Sequence, residues 1–166
     1  NNYIKMQKER SKMVSNYVLY GDQWKGENQY YKIDYNQGLG PVKGEIRLFG
    51  MNIDHFRDSN SHSFRIKFKD DIPGFGSKQF NFLNPRTRDF ITDPLLNIIY
   101  GQLYGGIKIN YEPVRVNLNK ARYGIFLKEE FFDKYLIEEN NKRESVIFEI
   151  VDDSLKFNYL GEDNLF

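Results

Sequence analysis

Ser63-Phe64-Arg65-Ile66-Lys67-Phe68-Lys69 is the stretch that decides the fold. Apolar and polar residues alternate through it with a period of two, which is the pattern of a strand with one buried face. Phe64, Ile66 and Phe68 belong to the core side, Arg65, Lys67 and Lys69 to the other. Working outward, Val42 to Phe49 alternates the same way. Val42, Gly44, Ile46 and Leu48 share one face, and Lys43, Glu45, Arg47 and Phe49 share the opposite one. Between the two lies a polar loop, Gly50 to Ser61. Asp70-Asp71-Ile72-Pro73-Gly74 turns the chain, and Lys78 to Leu83 gives a further strand with Phe80 and Phe82 on one side. Tyr30 to Asp34 alternates as well and is followed by the turn composition of Asn36 to Pro41.

Helical spacing brackets these strands. Residues 4–20 carry a rough apolar stripe through Ile4, Met6, Met13, Val14, Tyr17 and Val18, ended by Gly21 and Asp22. Trp24 to Asn28 is a polar connection. Beyond Leu83, Asp93 reads as a helix cap, Pro94 as the first helical residue and Gly105-Gly106 as the stop. Leu95, Leu96, Ile98, Ile99 and Leu103 predict a broad buried face for that helix. Tyr111 to Leu118 and Arg122 to Lys128 read as a hairpin around Asn119-Lys120. Glu129 to Asn141 returns to helical spacing through Phe132, Tyr135 and Leu136, and Ser145 to Val151 reads as a last strand. The expectation is one α+β domain over residues 1–166: a mostly antiparallel sheet with two or three helices. Its core is expected at about residues 30–151, ahead of an acidic tail at 152–166.

Composition narrows the function classes. With 24 basic and 23 acidic residues the net charge is +1, so there is no electrostatic footprint for nucleic acid. Without cysteine there is no disulfide, thiolate nucleophile or zinc–thiolate site, and two histidines exclude a histidine-rich metal centre. No stretch approaches the ~20 apolar residues of a membrane span, and Asn1 to Arg10 has no apolar signal core, so the compartment stays open. The chain begins at Asn rather than Met, which fits a processed form or an excised fragment.

The order of strand, polar loop, strand, helix, hairpin and acidic turn resembles the small lobe of a protein-kinase-like fold. Gly44-Glu-Ile-Arg-Leu-Phe-Gly50, Asp54-His55 and Ser63-Phe-Arg-Ile-Lys67 resemble the opening motif of the CotH kinase family. These are spore-coat atypical protein kinases with relatives in bacterial surface and polysaccharide loci. Asn84-Pro-Arg-Thr-Arg88 is similar to the family's segment before the helix. Val116-Asn-Leu-Asn119 and Tyr123-Gly-Ile-Phe-Leu-Lys-Glu-Glu130 are similar to its hairpin and closing Glu. Phe132-Asp133-Lys134 and Asn141-Lys-Arg-Glu144 continue the likeness, which covers roughly Glu9 to Asp153. The resemblance implies ATP-dependent phosphoryl transfer to protein with Mg2+. It also implies a larger following lobe that carries the catalytic and metal-binding aspartates; this sequence stops soon after Val151. Spore-type members have lysines where this chain has Ser61 and His62. The expected partner is therefore a missing C-terminal lobe or another protein, with homo-oligomerisation the alternative. A fragment of this kind should dimerise or expose an apolar patch near residues 129–151.

Several residues are candidates for nucleotide binding, each with a plainer reading beside it. Arg65 and Lys67 share a strand face and could hold phosphates, or be solvated charges. The loop with Asp54, His55 and Arg57 could cover phosphates through its N–H groups, although it is neither a Walker A loop nor GxGxxG. Asp54-His55 could be an acid–base pair, or Asp54 could cap its own turn. Lys128, Glu129 and Glu130 fall where a kinase-like hinge would meet the adenine, or simply start a helix. Asp152-Asp153 admits a metal reading but is more simply a turn, so no metal ligand and no catalytic residue is assigned. The competing function is a non-catalytic binding or scaffold module that keeps the fold.

Overall fold

A computed structural model describes residues 2–20, 29–36, 38, 40–50, 52–70, 72, 77–119, 121–143, 148–151 and 156–159. The turn residues 73–76, Asp152-Asp153, and residues 145–147 of the expected last strand lie outside them. The elements are α1 (Asn2–Tyr20), β1 (Tyr31–Asn36), β2 (Pro41–Leu48), β3 (Phe64–Phe68), β4 (Gln79–Leu83), α2 (Thr92–Tyr104), β5 (Tyr111–Leu118), β6 (Ala121–Glu130), α3 (Lys134–Glu139), β7 (Phe148–Val151) and β8 (Lys156–Tyr159). Short 3-10 turns occupy Ile53–His55 and Pro85–Arg88. The α+β class expected from the alternating strands is the one observed.

Six strands form one antiparallel sheet in the order β1-β2-β3-β4-β6-β5, and β7 pairs with β8 separately. The period-two pattern divides the sheet into two faces. On the inner face Phe64 stacks on Phe82 with ring centroids 4.9 Å apart and meets Phe126 at 5.3 Å, and Tyr35 contacts Phe68 edge-on at 5.0 Å. Met6 and Met13 of α1 are buried in the same cluster, and Tyr31 donates from its hydroxyl to Glu9 of α1 at 2.9 Å. The sheet curls, so that residues of both edge strands, Ile33 and Tyr35 of β1 and Val114 and Val116 of β5, line one groove of about 1380 Å3 on this face. Leu83, Leu127, Leu136 and Ile137 are buried outside that cluster.

Three local expectations are corrected. Asp93 does not cap α2; the helix starts at Thr92, its cap is Ile91 without a side-chain bond, and the Asp93 carboxylate pairs with Arg88 Nη1 at 3.3 Å. The broad face of α2 is not buried: Leu95, Leu96, Ile98, Ile99 and Leu103 are all exposed. No helix starts at Glu129, because β6 runs through Glu130, and α3 begins at Lys134. Its cap is Asp133, which accepts from Tyr135 N and Leu136 N and also from the Ser77 hydroxyl at 2.7 Å. Among the described residues an exposed apolar patch lies at 90–104, and within 129–143 Phe132 is exposed.

Candidate functional site

The outer face of the sheet carries a row of polar side chains set by strand register. Arg47 of β2 lies directly opposite Arg65 of β3, Arg65 opposite Asn81 of β4, Asn81 opposite Glu129 of β6, and Glu129 opposite Tyr111 of β5. Direct neighbours on one face are the pairs that interact most strongly in a sheet. The side chains are bonded along the row. Arg65 Nε donates to Asn81 Oδ1 at 2.7 Å, Asn81 Nδ2 to Glu129 Oε2 at 2.7 Å, and the Tyr111 hydroxyl to Glu129 Oε1 at 2.9 Å. Asn81 and Glu129 are buried. Both carboxylate oxygens of Glu129 thus have a donor, as a buried charge requires. Burial, reinforced by that carboxylate, pushes the Tyr111 phenol above its usual range and keeps it a donor.

The cations are arranged around this row. The Arg65 guanidinium sits over the Phe49 ring at 4.2 Å and over Phe131 at 5.0 Å, which fixes its plane. Arg47 lies over Tyr30 at 5.5 Å and bonds its hydroxyl. Two arginines directly opposite one another repel modestly, and the Glu129 carboxylate lies in the same row. Lys67 lies on the same face, exposed, opposite Glu45. Arg88, at the end of the 85–88 turn, is close enough to oppose protonation of His55 and to act on Tyr111. Its buried Nε finds no acceptor among the described residues.

The loop at 50–57 is pinned rather than open. The His55 ring packs on Gly50, where an added Cβ would lie 2.2 Å from its Cγ and where φ is +119°. His55 Nδ1 is 3.0 Å from the Ser63 hydroxyl, which also accepts from Asn84 N at 2.9 Å. Asp54 accepts from the backbone N–H of His55, so its carboxylate caps the turn and does not orient the imidazole. Burial pulls the His55 pKa down. Arg57 is exposed on the same loop. His62 is fully buried, with the Tyr123 hydroxyl 2.7 Å from Nδ1, and burial lowers its pKa to about 4. It is a neutral core residue at pH 7.

Of the sequence candidates, Arg65 and Glu129 are brought together through Asn81, with Lys67 beside them. Lys128 points to the inner face, where Nζ pairs with Glu112 at 2.6 Å and lies over Phe80. Glu130 bonds Asn110 at 2.9 Å, and burial beside Glu139 raises its pKa to about 6. The backbone at 128–129 is paired with both β4 and β5, so a hinge-type contact there competes with the ladder. Three residues of the row, Arg47, Asn81 and Tyr111, were missed from sequence, as was Arg88 in the turn beside it. Each is ordinary in its own segment, and only the cross-strand register aligns the three strand residues. Among the described residues no three His, Asp or Glu side chains come together to hold a metal ion, and no helix is long and apolar enough to cross a membrane.

No protein-family model matches this chain, and no curated protein matches it by sequence.

Proposed function

We propose that this chain is the small-lobe-like part of a CotH-type atypical protein kinase, contributing half of an ATP cleft for phosphoryl transfer to protein. The observation that carries the reading is the outer-face row. Arg65 is held in one plane by two aromatic rings and by Asn81, Arg47 lies opposite it in register, and Arg88 has a buried donor without an acceptor among the described residues. Charge-assisted bonds from guanidinium forks suit phosphate oxygens, and preorganised cations are the main thing a protein offers in phosphoryl transfer. ATP, when bound, supplies the transferable phosphoryl group. The residues of this chain do the rest on their side: Arg65 and Arg88 hold phosphate oxygens, Arg47 and Lys67 add positive potential, and Glu129 keeps Asn81 and hence Arg65 in place. The acid–base and metal-binding groups come from a partner lobe. Tyr111, with its phenol held protonated, is a positioning residue for Glu129.

A second reading, a non-catalytic binding or scaffold module, is favoured by His62. Where the resemblance calls for a lysine, this chain has a buried, neutral imidazole bonded to Tyr123. Calorimetry of ATP·Mg2+ separates the two. The nucleotide reading expects binding by the wild type and at least a tenfold loss, about 1.4 kcal/mol, in Arg65→Met and in Arg88→Gln, with a smaller loss in Lys67→Ala. No detectable binding by the wild type removes the nucleotide reading. Equal binding by all four proteins removes these cations from the site.

A further inference from the structure

The helix α2 is inside out. Between Phe90 and Tyr104 there are nine large apolar side chains, and all nine are exposed, from 40% for Ile99 to 73% for Tyr104. What faces the protein is a small and polar stripe. Asn97 Oδ1 accepts from Ile109 N at 2.9 Å, and Gly101 is buried so closely under Lys108 that an added Cβ would lie 2.3 Å from its Cγ. An isolated helix of 13 residues is marginal in water, and helices in proteins are held mainly by packing of an apolar face. For α2 that face has no cover among the described residues.

We infer that α2 is a self-association element, pairing with the α2 of a second copy of this chain across a two-fold axis. Three observations point to this occupant. First, the apolar positions Leu96, Ile99 and Leu103 are spaced by three and four, the alternation that runs a seam along a helix for pairing with another helix. A second copy offers the same seam, as an isologous contact needs. Second, the only charge from Phe90 to Tyr104 is Asp93, already paired with Arg88. Two copies therefore meet without like charges opposed, whereas an anionic lipid surface or a charged partner would find nothing to bind. Third, the area is sufficient. Leu95, Leu96, Ile99, Tyr100 and Leu103 share the seam side of the helix, and at roughly 100 Å2 for each half-exposed side chain they give on the order of 500 Å2 per copy, or about 1,000 Å2 in total, the size at which an interface becomes specific. The inference holds whether or not the outer face of the sheet binds nucleotide.

Sedimentation velocity across a concentration series tests it on the purified chain. The expected result is a reversible dimer whose Kd rises by roughly 100-fold or more in the double variant Leu96→Glu/Leu103→Glu, which places two charges in the seam. Circular dichroism verifies that this variant is folded. Because the chain has no cysteine, Ile99→Cys at the middle of the seam gives an independent reading. Mild oxidation should convert it to a covalent dimer, while Lys67→Cys on the exposed sheet face should not. A wild type that stays monomeric at every concentration overturns the inference, as does a dimer that the double variant leaves intact. Monomers that float with neutral phosphatidylcholine vesicles would give the face to lipid instead and also overturn it.

Discussion

Phe64 and Arg65 are neighbours in the chain and belong to different chemistries. Phe64 enters the inner face, where aromatic rings, Met6 and Met13 make an apolar cluster. Arg65 enters the outer face, where bonds run strand to strand from Arg65 to Tyr111 beside the buried pair Leu83 and Leu127. The inner face is held by apolar packing beneath the groove that the curled sheet encloses. The outer face is held by paired donors and acceptors, keeps two arginines in direct opposition, and leaves the Arg88 Nε without an acceptor among the described residues. The difference teaches that one strand carries the fold on its even residues and the candidate chemistry on its odd ones.

The sharpest way to break that division is to cut each face separately. Phe64→Ala removes a ring that is 3% exposed and stacked on Phe82. It should cost about 3–5 kcal/mol in denaturant unfolding, a large share of the stability of such a domain. The fraction that stays folded should bind ATP·Mg2+ within about twofold of the wild type. A loss of affinity larger than the loss of folded protein would mean that the two faces are not separable.

The next effect is a pH dependence that belongs to the inner side. Burial lowers the His62 pKa to about 4, below its ordinary value of 6.5. The folded state therefore binds this proton less readily than the unfolded state. Stability from this residue is fully present above pH 6.5 and is lost as pH falls toward 4. Its size is at most about 3 kcal/mol. Thermal unfolding followed from pH 7 to pH 4 should show that decline, and His62→Gln should flatten it while lowering the plateau. An unchanged acid limb in the variant would move the proton to another group, with His55 next in line.

Much of this fold was legible because strands announce themselves by alternation. The inward set Phe64, Ile66, Phe68, Phe80 and Phe82 follows directly from a period of two and is buried as read. The helix α2 was misread for a physical reason. A run as apolar as Leu95 to Leu103 normally has a core to enter, and nothing in the local pattern says that its smallest residues, Gly101 above all, are the ones turned inward. Asp93 was misread because the cap motif is local, while its partner Arg88 is reached by the preceding turn. Half of the candidate site was invisible for a different reason. Arg65 and Glu129 are 64 positions apart, and the residue that joins them, Asn81, sits in a strand whose apolar neighbours carry the signal. Register is a pairwise property, and one sequence read along its length does not contain it.

The smallest expected effect tests the outer face most selectively, because its two readouts move apart. Arg47→Gln removes the charge opposed to Arg65, which favours the folded state, and removes the contact with Tyr30, which disfavours it. Cross-strand repulsion and an exposed cation–π contact are each worth a few tenths of a kcal/mol to about 1. Unfolding free energy should therefore change by no more than about 0.5 kcal/mol. Affinity for ATP·Mg2+ should still fall about threefold to tenfold, because a phosphate loses one neighbouring cation in a partly screened site. The fall should shrink as salt is added, since the contribution of an exposed charge is screened. A variant that unfolds more easily by over 1 kcal/mol and binds nucleotide as well as the wild type would make Arg47 a brace for the sheet. The outer row would then be read as structure, like the aromatic face behind it.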